Sequence, residues 1–479
     1  MMRRIAFACG ALCLTTLAHA ELPRAVGRAF LDAGIPLNSV ALVVQEVGQK
    51  RPLFAYAANR PMNPASVMKL VTTFASLELL GRDFRWKTEA FLSGPLIKGV
   101  LYGDLILKGY GDPKITIEQW QLFMATLRQN GLERITGDLV LDRTHFKLSP
   151  HDPAEFDHDP LRPYNVGPDA LLVNFKSVRF AFAANAAGDA IEIRMDPALP
   201  EVELHATPHL SPGDCLDWRT AVGALYVDRG SKAEVWFPGH YAASCGERDL
   251  NVALLDHVQY VRAMFASYFR AAGGEFAGGV RDGRVPHGAA PFAVLHSAPL
   301  YEMVRDVNKL SNNVMARQMF LTLATVRHPP PVTLANATDA ARRFLASRKI
   351  GMPGLVLENG SGLSRHERAT AGGLAQLLAA ADASPVREEF ASSLAVAAVD
   401  GTLARRFLSG NVAGQALLKT GSLEGVRALS GYVIDADGRR WIVVAIINHV
   451  NAQRGAAALD FLVQWVYRNA RAWNPALQR

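Results

Sequence analysis

The chain has 479 residues, of which 49% are hydrophobic and 20% charged, and its formal net charge at pH 7 is +7. This length predicts two or three domains. No basic run is interleaved with aromatic residues, so the charge does not indicate a nucleic-acid partner, although it suits attraction to an anionic polymer. No later stretch has 18 uninterrupted apolar residues, so we expect no transmembrane anchor.

The first twenty residues have the three parts of a secretory signal peptide. Arg3 and Arg4 form a basic start, residues 5–17 are mostly apolar, and the stretch ends in Ala18-His19-Ala20. The apolar part is too short to span a bilayer. We therefore expect a signal peptide over residues 1–20 and a periplasmic mature chain. The alternative is a buried N-terminal strand.

Two of the four cysteines lie in the predicted signal peptide, which leaves Cys215 and Cys245 in the mature chain. In an oxidising compartment, a disulfide between them is the simplest use of the pair. A rival interpretation is a metal site formed with His209 and His240. That spacing matches no common zinc pattern, so we expect no metal.

After the signal peptide, the sequence predicts two strands followed by a helix. Strand-like runs occupy residues 40–57 and are divided by a Gly-Gln turn. Apolar residues then recur with helical spacing over residues 66–80, and Gly81 is a natural stop. Ser66 stands at the start of this helix, where backbone N–H groups are free, and Lys69 follows one turn later.

The middle of the chain alternates in strand-like runs over residues 101–108, 138–142, 177–183, 190–195 and 232–237. We interpret them as β-rich insertions. Residues 94–183 with 256–286 are assigned to a domain II, and residues 184–255 to a domain III. The flanking residues 21–93 and 287–479 would then form one discontinuous α/β domain.

Helical periodicity returns over residues 289–324, a stretch that carries Ser311 and Asn313. A strand follows around Lys419, and after it come a hairpin and a helical pattern over residues 455–473. Strands from both ends of the chain beside a terminal helix favour one sheet built from both ends.

Three short motifs stand out: Ser66-Val67-Met68-Lys69, Ser311-Asn312-Asn313 and Lys419-Thr420-Gly421. They read S-x-x-K, S-x-N and K-T-G in that order, which is the motif set of active-site serine penicillin-binding proteins and β-lactamases. Each motif alone is common by chance, and Ser66 with Lys69 alone reads as a helix cap followed by a solvated lysine. All three in order, each in the expected local structure, are specific.

The first two motifs supply a nucleophile and its proton transfers. A serine hydroxyl is a poor nucleophile until a base takes its proton, and Lys69 can serve if burial or a nearby cation lowers its pKa. Lys419 could be that cation. Ser311 can pass a proton between Lys69 and a leaving amine, and Asn313 can hold Lys69 or a substrate amide.

The third motif predicts an anion site on a strand. Alternation places Thr420 and Ser422 on one face, so their hydroxyls and the Lys419 ammonium can bind a terminal carboxylate. Gly421 lets an acyl chain lie close to the strand. Backbone N–H groups of Ser66 and Ser422 would form an oxyanion hole. None of this chemistry needs a cofactor.

With these motifs, the chain resembles the class C low-molecular-mass penicillin-binding proteins, the D-alanyl-D-alanine carboxypeptidase/endopeptidase family. The resemblance covers most of the mature chain and includes the long insertion after the first motif. The supporting stretches are Asn63-Pro64-Ala65-Ser66, Gly109-Tyr110-Gly111-Asp112-Pro113, Lys309-Leu310-Ser311-Asn312-Asn313, Gly360-Ser361-Gly362-Leu363-Ser364-Arg365, Asp400-Gly401-Thr402-Leu403 and Lys419-Thr420-Gly421-Ser422. It implies an α/β (α+β) serine β-lactamase/DD-peptidase-like transpeptidase domain with inserted β-rich domains.

The resemblance also implies the substrate and the roles of residues. Substrates would be peptidoglycan stem peptides ending in D-Ala-D-Ala, or their cross-links, and β-lactams would be covalent inhibitors. Arg365 matches a residue that contacts the diamino-acid side chain, and Leu363 would line the same pocket. The alternative for Arg365 is a structural salt bridge. The remaining implied roles are nucleophile Ser66, base Lys69, relay Ser311 and Asn313, and carboxylate clamp Lys419, Thr420 and Ser422.

One departure and two rival functions accompany this resemblance. Family members often have an acidic residue, followed by an aromatic one, that receives the amine of the diamino acid. The comparable stretch at residues 163–168 lacks the acid, for which Asp157, Asp159 or Asp169 could substitute. The rivals are a β-lactamase, disfavoured because the insertion after the first motif is too long, and an inactive wall-binding scaffold, disfavoured by the intact motif set. An esterase would have no reason to keep K-T-G.

Overall fold

The computed structural model describes residues 22–473, so the predicted signal peptide over residues 1–20 lies outside the described part. The helices in this part are α1 (Arg24–Asp32), α2 (Lys69–Leu80), α3 (Ile117–Gln129), α4 (Trp218–Ala221), α5 (His257–Ala271), α6 (Leu300–Lys309), α7 (Asn313–Leu323), α8 (Leu334–Ser347), α9 (Ala371–Asp382), α10 (Arg387–Ser393) and α11 (Ala456–Asn469). Within residues 22–473, no helix combines the length and apolar character needed to cross a bilayer.

The strands up to residue 211 are β1 (Val40–Glu46), β2 (Phe54–Tyr56), β3 (Lys87–Leu92), β4 (Leu96–Ile97), β5 (Val100–Leu101), β6 (Leu105–Gly109), β7 (Arg134–Ile135), β8 (Leu139–Asp142), β9 (Val178–Ala184), β10 (Ile191–Asp196), β11 (Val202–Ala206) and β12 (His209–Ser211). The later strands are β13 (Leu225–Asp228), β14 (Ala233–Trp236), β15 (His240–Ala242), β16 (Arg248–Val252), β17 (Glu275–Phe276), β18 (Val280–Asp282), β19 (Ala293–His296), β20 (Ala395–Val396), β21 (Ala416–Leu423), β22 (Val426–Ile434) and β23 (Arg440–Asn448).

The principal sheet joins the two ends of the chain. Its six strands lie in the order β2-β1-β23-β22-β21-β20, and every neighbouring pair is antiparallel. β1 pairs with β23 from Val40↔Ile447 to Glu46↔Trp441. This pairing across most of the chain confirms the predicted discontinuous α/β fold class.

Helices cover both faces of this sheet. In β1, Ala41 and Val43 pack into a core with helices α2 and α6 to α10, whereas Val40, Leu42 and Val44 pack against α1 and α11. All five side chains are buried, which explains why the strand reads as a continuous apolar run. The strand therefore lies in the middle layer of a three-layer structure.

The middle of the chain forms smaller sheets around a second core. Their orders are β18-β8-β6-β3-β19, β17-β7-β5-β4, β10-β9-β16, β11-β14-β13 and β12-β15. Helices α3 and α5 contribute to this core. The prediction of β-rich insertions is therefore confirmed at the level of fold class. We call residues 87–296 the insert.

The strand pairing favours wider boundaries for the insert than the predicted residues 94 and 286. β3 and β19 lie outside that range, yet β3 pairs with β6 and β19 pairs with β3. Where the chain enters and leaves, the Ser297 backbone N–H donates to Trp86 O (3.0 Å), and the Trp86 N–H donates to Ser297 Oγ (2.9 Å). We therefore propose that the insert begins after Trp86 and ends before Ser297.

Cys215 and Cys245 form a disulfide within the insert, as the sequence predicts. Both sulfur atoms are occupied by this bond, so the rival metal site with His209 and His240 is wrong. The two histidines face each other across the paired strands β12 and β15, with ring centroids 5.9 Å apart.

Candidate active site

Ser66 lies on a tight turn that leads into α2. The turn is a 3₁₀ helix, Ala65–Met68, and the α-helix begins only at Lys69. The predicted helix over residues 66–80 is thus present, but its first turn is tighter than expected. Ala65 has a φ of 47°, a left-handed conformation that costs energy for a residue with a Cβ. Surrounding contacts must therefore hold this turn.

Asn63 is the main anchor of the turn. Its backbone N–H donates to Asn448 Oδ1 at the end of β23 (2.8 Å), and its carbonyl accepts from Asn448 Nδ2 (2.9 Å). Its side chain donates to Ser364 O (2.8 Å) and accepts from the Ala65 N–H (2.9 Å). The Asn-Pro-Ala-Ser stretch therefore positions Ser66 between the sheet and the Gly360–Arg365 loop.

Lys69 places its amine beside the Ser66 hydroxyl. Lys69 Nζ lies 2.9 Å from Ser66 Oγ, 2.6 Å from Asn313 Oδ1 and 2.5 Å from Ser361 O. The side chain is fully buried. Burial, and then the charge of Lys419, lower the pKa of Lys69 well below its ordinary value. The structure thus brings Ser66, Lys69 and Asn313 together, as the sequence predicts.

Lys419 and Ser311 form a second contact pair. Lys419 Nζ lies 2.8 Å from Ser311 Oγ and 2.9 Å from Thr420 O. Burial lowers the pKa of Lys419 to about 7. Ser311 occupies the link between α6 and α7, with a φ of 57°. Just before it, Lys309 Nζ donates to Asp400 Oδ2 (2.5 Å), which fixes the end of α6.

Strand β21 runs directly beside the serine turn, and Gly421 permits this. A Cβ on residue 421 would lie 2.5 Å from Pro64 O and 3.2 Å from Ser66 N. The glycine is therefore needed for close approach. Thr420 and Ser422 are more exposed than Lys419 and Gly421, in agreement with the predicted alternation. Thr420 Oγ1 donates to Thr402 Oγ1 (2.9 Å).

The site opens into a cleft of about 870 Å³ between the principal sheet and the insert. Ser66, Ser311, Asn313, Leu363 and Ser422 line one wall. The insert contributes the opposite wall, including Phe156, Arg162, Tyr164, Asn174 and Asn251. Five of the residues predicted from sequence therefore border one cavity. A second cavity of about 290 Å³ adjoins it and shares Phe156 and Leu363.

Arg365 borders the second cavity. Its guanidinium lies 4.9 Å from the ring centroid of Phe156, and its Nη2 atom lies 3.2 Å from Glu424 Oε2. The salt-bridge alternative for Arg365 is thus present in the structure. The Glu424 side chain is 87% exposed, and a pair of this kind contributes little to stability, so it does not commit Arg365 to a structural role.

The three candidate acids differ in their surroundings. Asp157 accepts from the Tyr164 hydroxyl (2.7 Å), and Asp159 pairs with Arg162 (2.6 Å), so both contact residues of the cleft wall. Asp169 is engaged elsewhere. Burial alone would raise its pKa, but His257, together with Arg143, lowers the pKa of Asp169 to about 2. Asp169 is therefore a structural carboxylate.

Two features of the site escape the sequence analysis. Ser361 acts through its backbone carbonyl, which has no side-chain signature. Glu367 is fully buried and accepts backbone N–H bonds from Glu358, Asn359 and Gly360, each at 3.1 Å. A glutamate two residues after an exposed arginine looks solvated in sequence. Only its burial reveals that it supports the loop.

Ser66 lies beside the buried Lys69, and a second buried lysine, Lys419, lies on the neighbouring strand β21 of a sheet covered by helices. This arrangement defines the fold and site of a serine-type penicillin-binding DD-peptidase. The chain belongs to the D-Ala-D-Ala carboxypeptidase 3 (S13) family, whose sequence model matches residues 23–469. The resemblance inferred from the motifs and the expected class of enzyme, a serine hydrolase, are therefore confirmed.

Individual relatives agree with this assignment. The chain is 25% identical to D-alanyl-D-alanine carboxypeptidase DacB of Haemophilus influenzae, over 86% of this chain and 85% of that protein. It is 29% identical to the D-alanyl-D-alanine carboxypeptidase of Actinomadura sp. (strain R39), over 87% and 78%. The crystal structure of penicillin binding protein 4 from H. influenzae superposes with a TM-score of 0.76 at 24% identity, covering 93% of this chain and all of that one.

Proposed function

We propose that the protein trims or cleaves peptidoglycan stem peptides through an acyl-enzyme on Ser66. The observation that carries this proposal is the position of Lys69 Nζ, 2.9 Å from Ser66 Oγ in a fully buried site. A serine nucleophile needs such a base within hydrogen-bond reach. Membership of the D-Ala-D-Ala carboxypeptidase family supports the substrate class.

The contacts of Lys69 suit a neutral amine that acts as a base. A neutral amine has two N–H groups and one lone pair. Asn313 Oδ1 and Ser361 O can accept the two N–H groups, which leaves the lone pair for the hydroxyl proton of Ser66. Burial favours this uncharged form, because it lowers the pKa of Lys69.

Acylation follows from this geometry. As Ser66 Oγ attacks the carbonyl carbon of the penultimate D-Ala, its proton passes to Lys69. The oxyanion accepts hydrogen bonds from the backbone N–H groups of Ser66 and Ser422. When the C–N bond breaks, the proton passes through Ser311 to the leaving amine. Water then hydrolyses the ester by the same transfers in reverse, and Ser66 is restored.

Lys419, Thr420 and Ser422 form the proposed clamp for the substrate carboxylate. A bound carboxylate favours the charged form of Lys419, so substrate binding itself would protonate this lysine. A carboxypeptidase and an endopeptidase share this acyl-enzyme and differ only in the leaving amine. β-Lactams carry a comparable carboxylate and would acylate Ser66. We place the protein in the periplasm, where its substrate lies.

Covalent labelling tests the role of Ser66. Intact mass is measured after incubation with benzylpenicillin, for the wild type, Ser66→Ala and Ser347→Ala, a control at the end of α8. We expect one adduct on the wild type and the control, and none on Ser66→Ala. No adduct on the wild type would favour an inactive scaffold. Rapid turnover of benzylpenicillin without accumulation of the adduct would favour a β-lactamase.

A second comparison tests the proposed substrate contact of Arg365. Arg365→Ala should lower kcat/KM for a diamino-acid-containing stem peptide at least tenfold more than it lowers acylation by benzylpenicillin, which has no such side chain. Glu424→Gln removes the acidic partner and keeps the arginine. This variant should retain peptide hydrolysis. Equal losses with both substrates in Arg365→Ala would contradict the contact.

A further inference from the structure

A buried carboxylate lies behind the proposed nucleophile and base, and the reaction described above gives it no role. The carboxylate belongs to Glu367, whose side chain is fully buried. Its Oε1 accepts the backbone N–H groups of Glu358, Asn359 and Gly360, each at 3.1 Å. Three bonds to one oxygen fix the backbone of a loop that is otherwise without regular structure.

The same loop contacts Lys69, α2 and the serine turn. Ser361 O lies 2.5 Å from Lys69 Nζ, and Gly360 O accepts from Thr72 Oγ1 (2.6 Å). At Gly362, which has a φ of 80°, a Cβ would lie 2.0 Å from Ala65 O. A shift of this loop would therefore displace the base and the nucleophile together.

The charges around the site also single out Glu367. Three basic side chains are buried there: Lys69 and Lys419 are 0% exposed, and Arg317 is 5% exposed. Their hydrogen-bond partners are neutral oxygens: Ser66, Asn313 and Ser361 for Lys69, Ser311 and Thr420 for Lys419, and Val166 for Arg317. Buried charges without opposite charges nearby are costly. Burial lowers the pKa of both Lys69 and Arg317, and the Glu367 carboxylate raises both.

We propose that Glu367 is a positioning residue for acylation, which holds the loop that contacts Lys69 and places a negative charge near the buried basic side chains. This inference rests on the proposed function of Ser66 and Lys69. Glu367 would have two separable effects. The three hydrogen bonds set the geometry of the base, and the charge sets the pH range in which the base is uncharged.

The direction of the charge effect follows from the groups that face Lys69. Burial lowers the pKa of Lys69 most, Lys419 on β21 and Arg317 on α7 lower it further, and Glu367 raises it. Burial raises the pKa of Glu367 itself, as does the nearby Glu358, while the three N–H bonds oppose this rise. Loss of the Glu367 charge would therefore lower the pKa of Lys69 and extend the active form to lower pH.

The effect on geometry and the effect of charge are separated by the rate constant for acylation by benzylpenicillin, measured between pH 5 and 9. Glu367→Gln keeps an oxygen acceptor but removes the charge. Its acid limb should move to lower pH by about 0.5–1.5 units, as expected when one charge is removed from a protein interior. Glu367→Asp keeps the charge but shortens the side chain. Its plateau rate should fall at least tenfold while the acid limb stays in place.

Glu89→Gln is the matched control, since Glu89 is a buried glutamate of the insert that accepts from Tyr110 and Lys87. Its profile should match the wild type. Profiles of Glu367→Gln and Glu367→Asp that superimpose on the wild type would overturn the proposal. If Glu367→Gln does not fold, an unchanged plateau in Glu367→Asp is sufficient to overturn it. Absence of acylation in the wild type would instead refute the role of Ser66.

Discussion

The closeness of β21 to the serine turn makes Gly421→Ala the most informative substitution. The added Cβ would lie 2.5 Å from Pro64 O, whereas ordinary contact begins at 3.4 Å, so the two backbones must separate by 0.9 Å (3.4 − 2.5). The three nearest atoms are Pro64 O, Ala65 Cβ and Ser66 N, and none of them can rotate away. Overpacking of this kind costs about 1–3 kcal/mol of stability. A displacement of about 1 Å at a reacting centre can lower a rate about 100-fold.

The assay is the rate of acylation by benzylpenicillin, followed by intact mass, together with urea denaturation. Gly351→Ala is the control, because Gly351 has no positive φ and its new Cβ would lie 3.6 Å from the nearest atom, Gln376 Oε1. We expect Gly421→Ala to acylate about 100-fold more slowly and the control to match the wild type. Wild-type acylation by Gly421→Ala would refute the inference that this glycine sets the spacing of the site.

Two further predictions concern stability. Burial lowers the pKa of Lys419 from 10.5 to about 7. Between these two pH values the unfolded chain therefore binds a proton that the folded chain lacks. The free energy of unfolding should accordingly rise with pH, by up to about 1.4 kcal/mol per pH unit. Lys419→Met should remove this contribution in urea denaturation between pH 7 and 9.5, and an unchanged slope would contradict it. The disulfide spans 30 residues, so Cys215→Ser with Cys245→Ser should destabilise the insert by about 3–4 kcal/mol. Thermal unfolding measures this, and a Tm equal to that of the wild type would show that the bond is dispensable.

The catalytic motifs were predictable because their chemistry depends on side chains at short, fixed spacing. Ser66 and Lys69 are one turn apart, and their contact follows from local geometry. The meeting of Lys69 with Asn313 does not follow from spacing, because 244 residues separate them. That contact could be expected only from the order of the three motifs. The strand-like runs near the two ends of the chain likewise predicted one sheet built from both.

Other features had no sequence signal. The boundaries of the insert depend on which strands pair, and β3 looks like any other apolar run until it is seen beside β6. The burial of Glu367 is equally hidden, because the three N–H groups that it accepts belong to backbone. Strand pairing and side-chain burial of this kind depend on tertiary contacts, and local sequence patterns do not predict these contacts.

The pairing of β1 with β23 has a consequence for biosynthesis. Ser66 is made early, but the strand carrying Lys419 and the partner strand of β1 are made near the end. Contacts so distant in sequence form late, because the intervening chain must first be ordered. A nascent chain thus carries Ser66 and Lys69 before Asn313 and Lys419, which complete the site, have been made. Covalent labelling by a β-lactam would accordingly count only chains whose synthesis and folding are both complete.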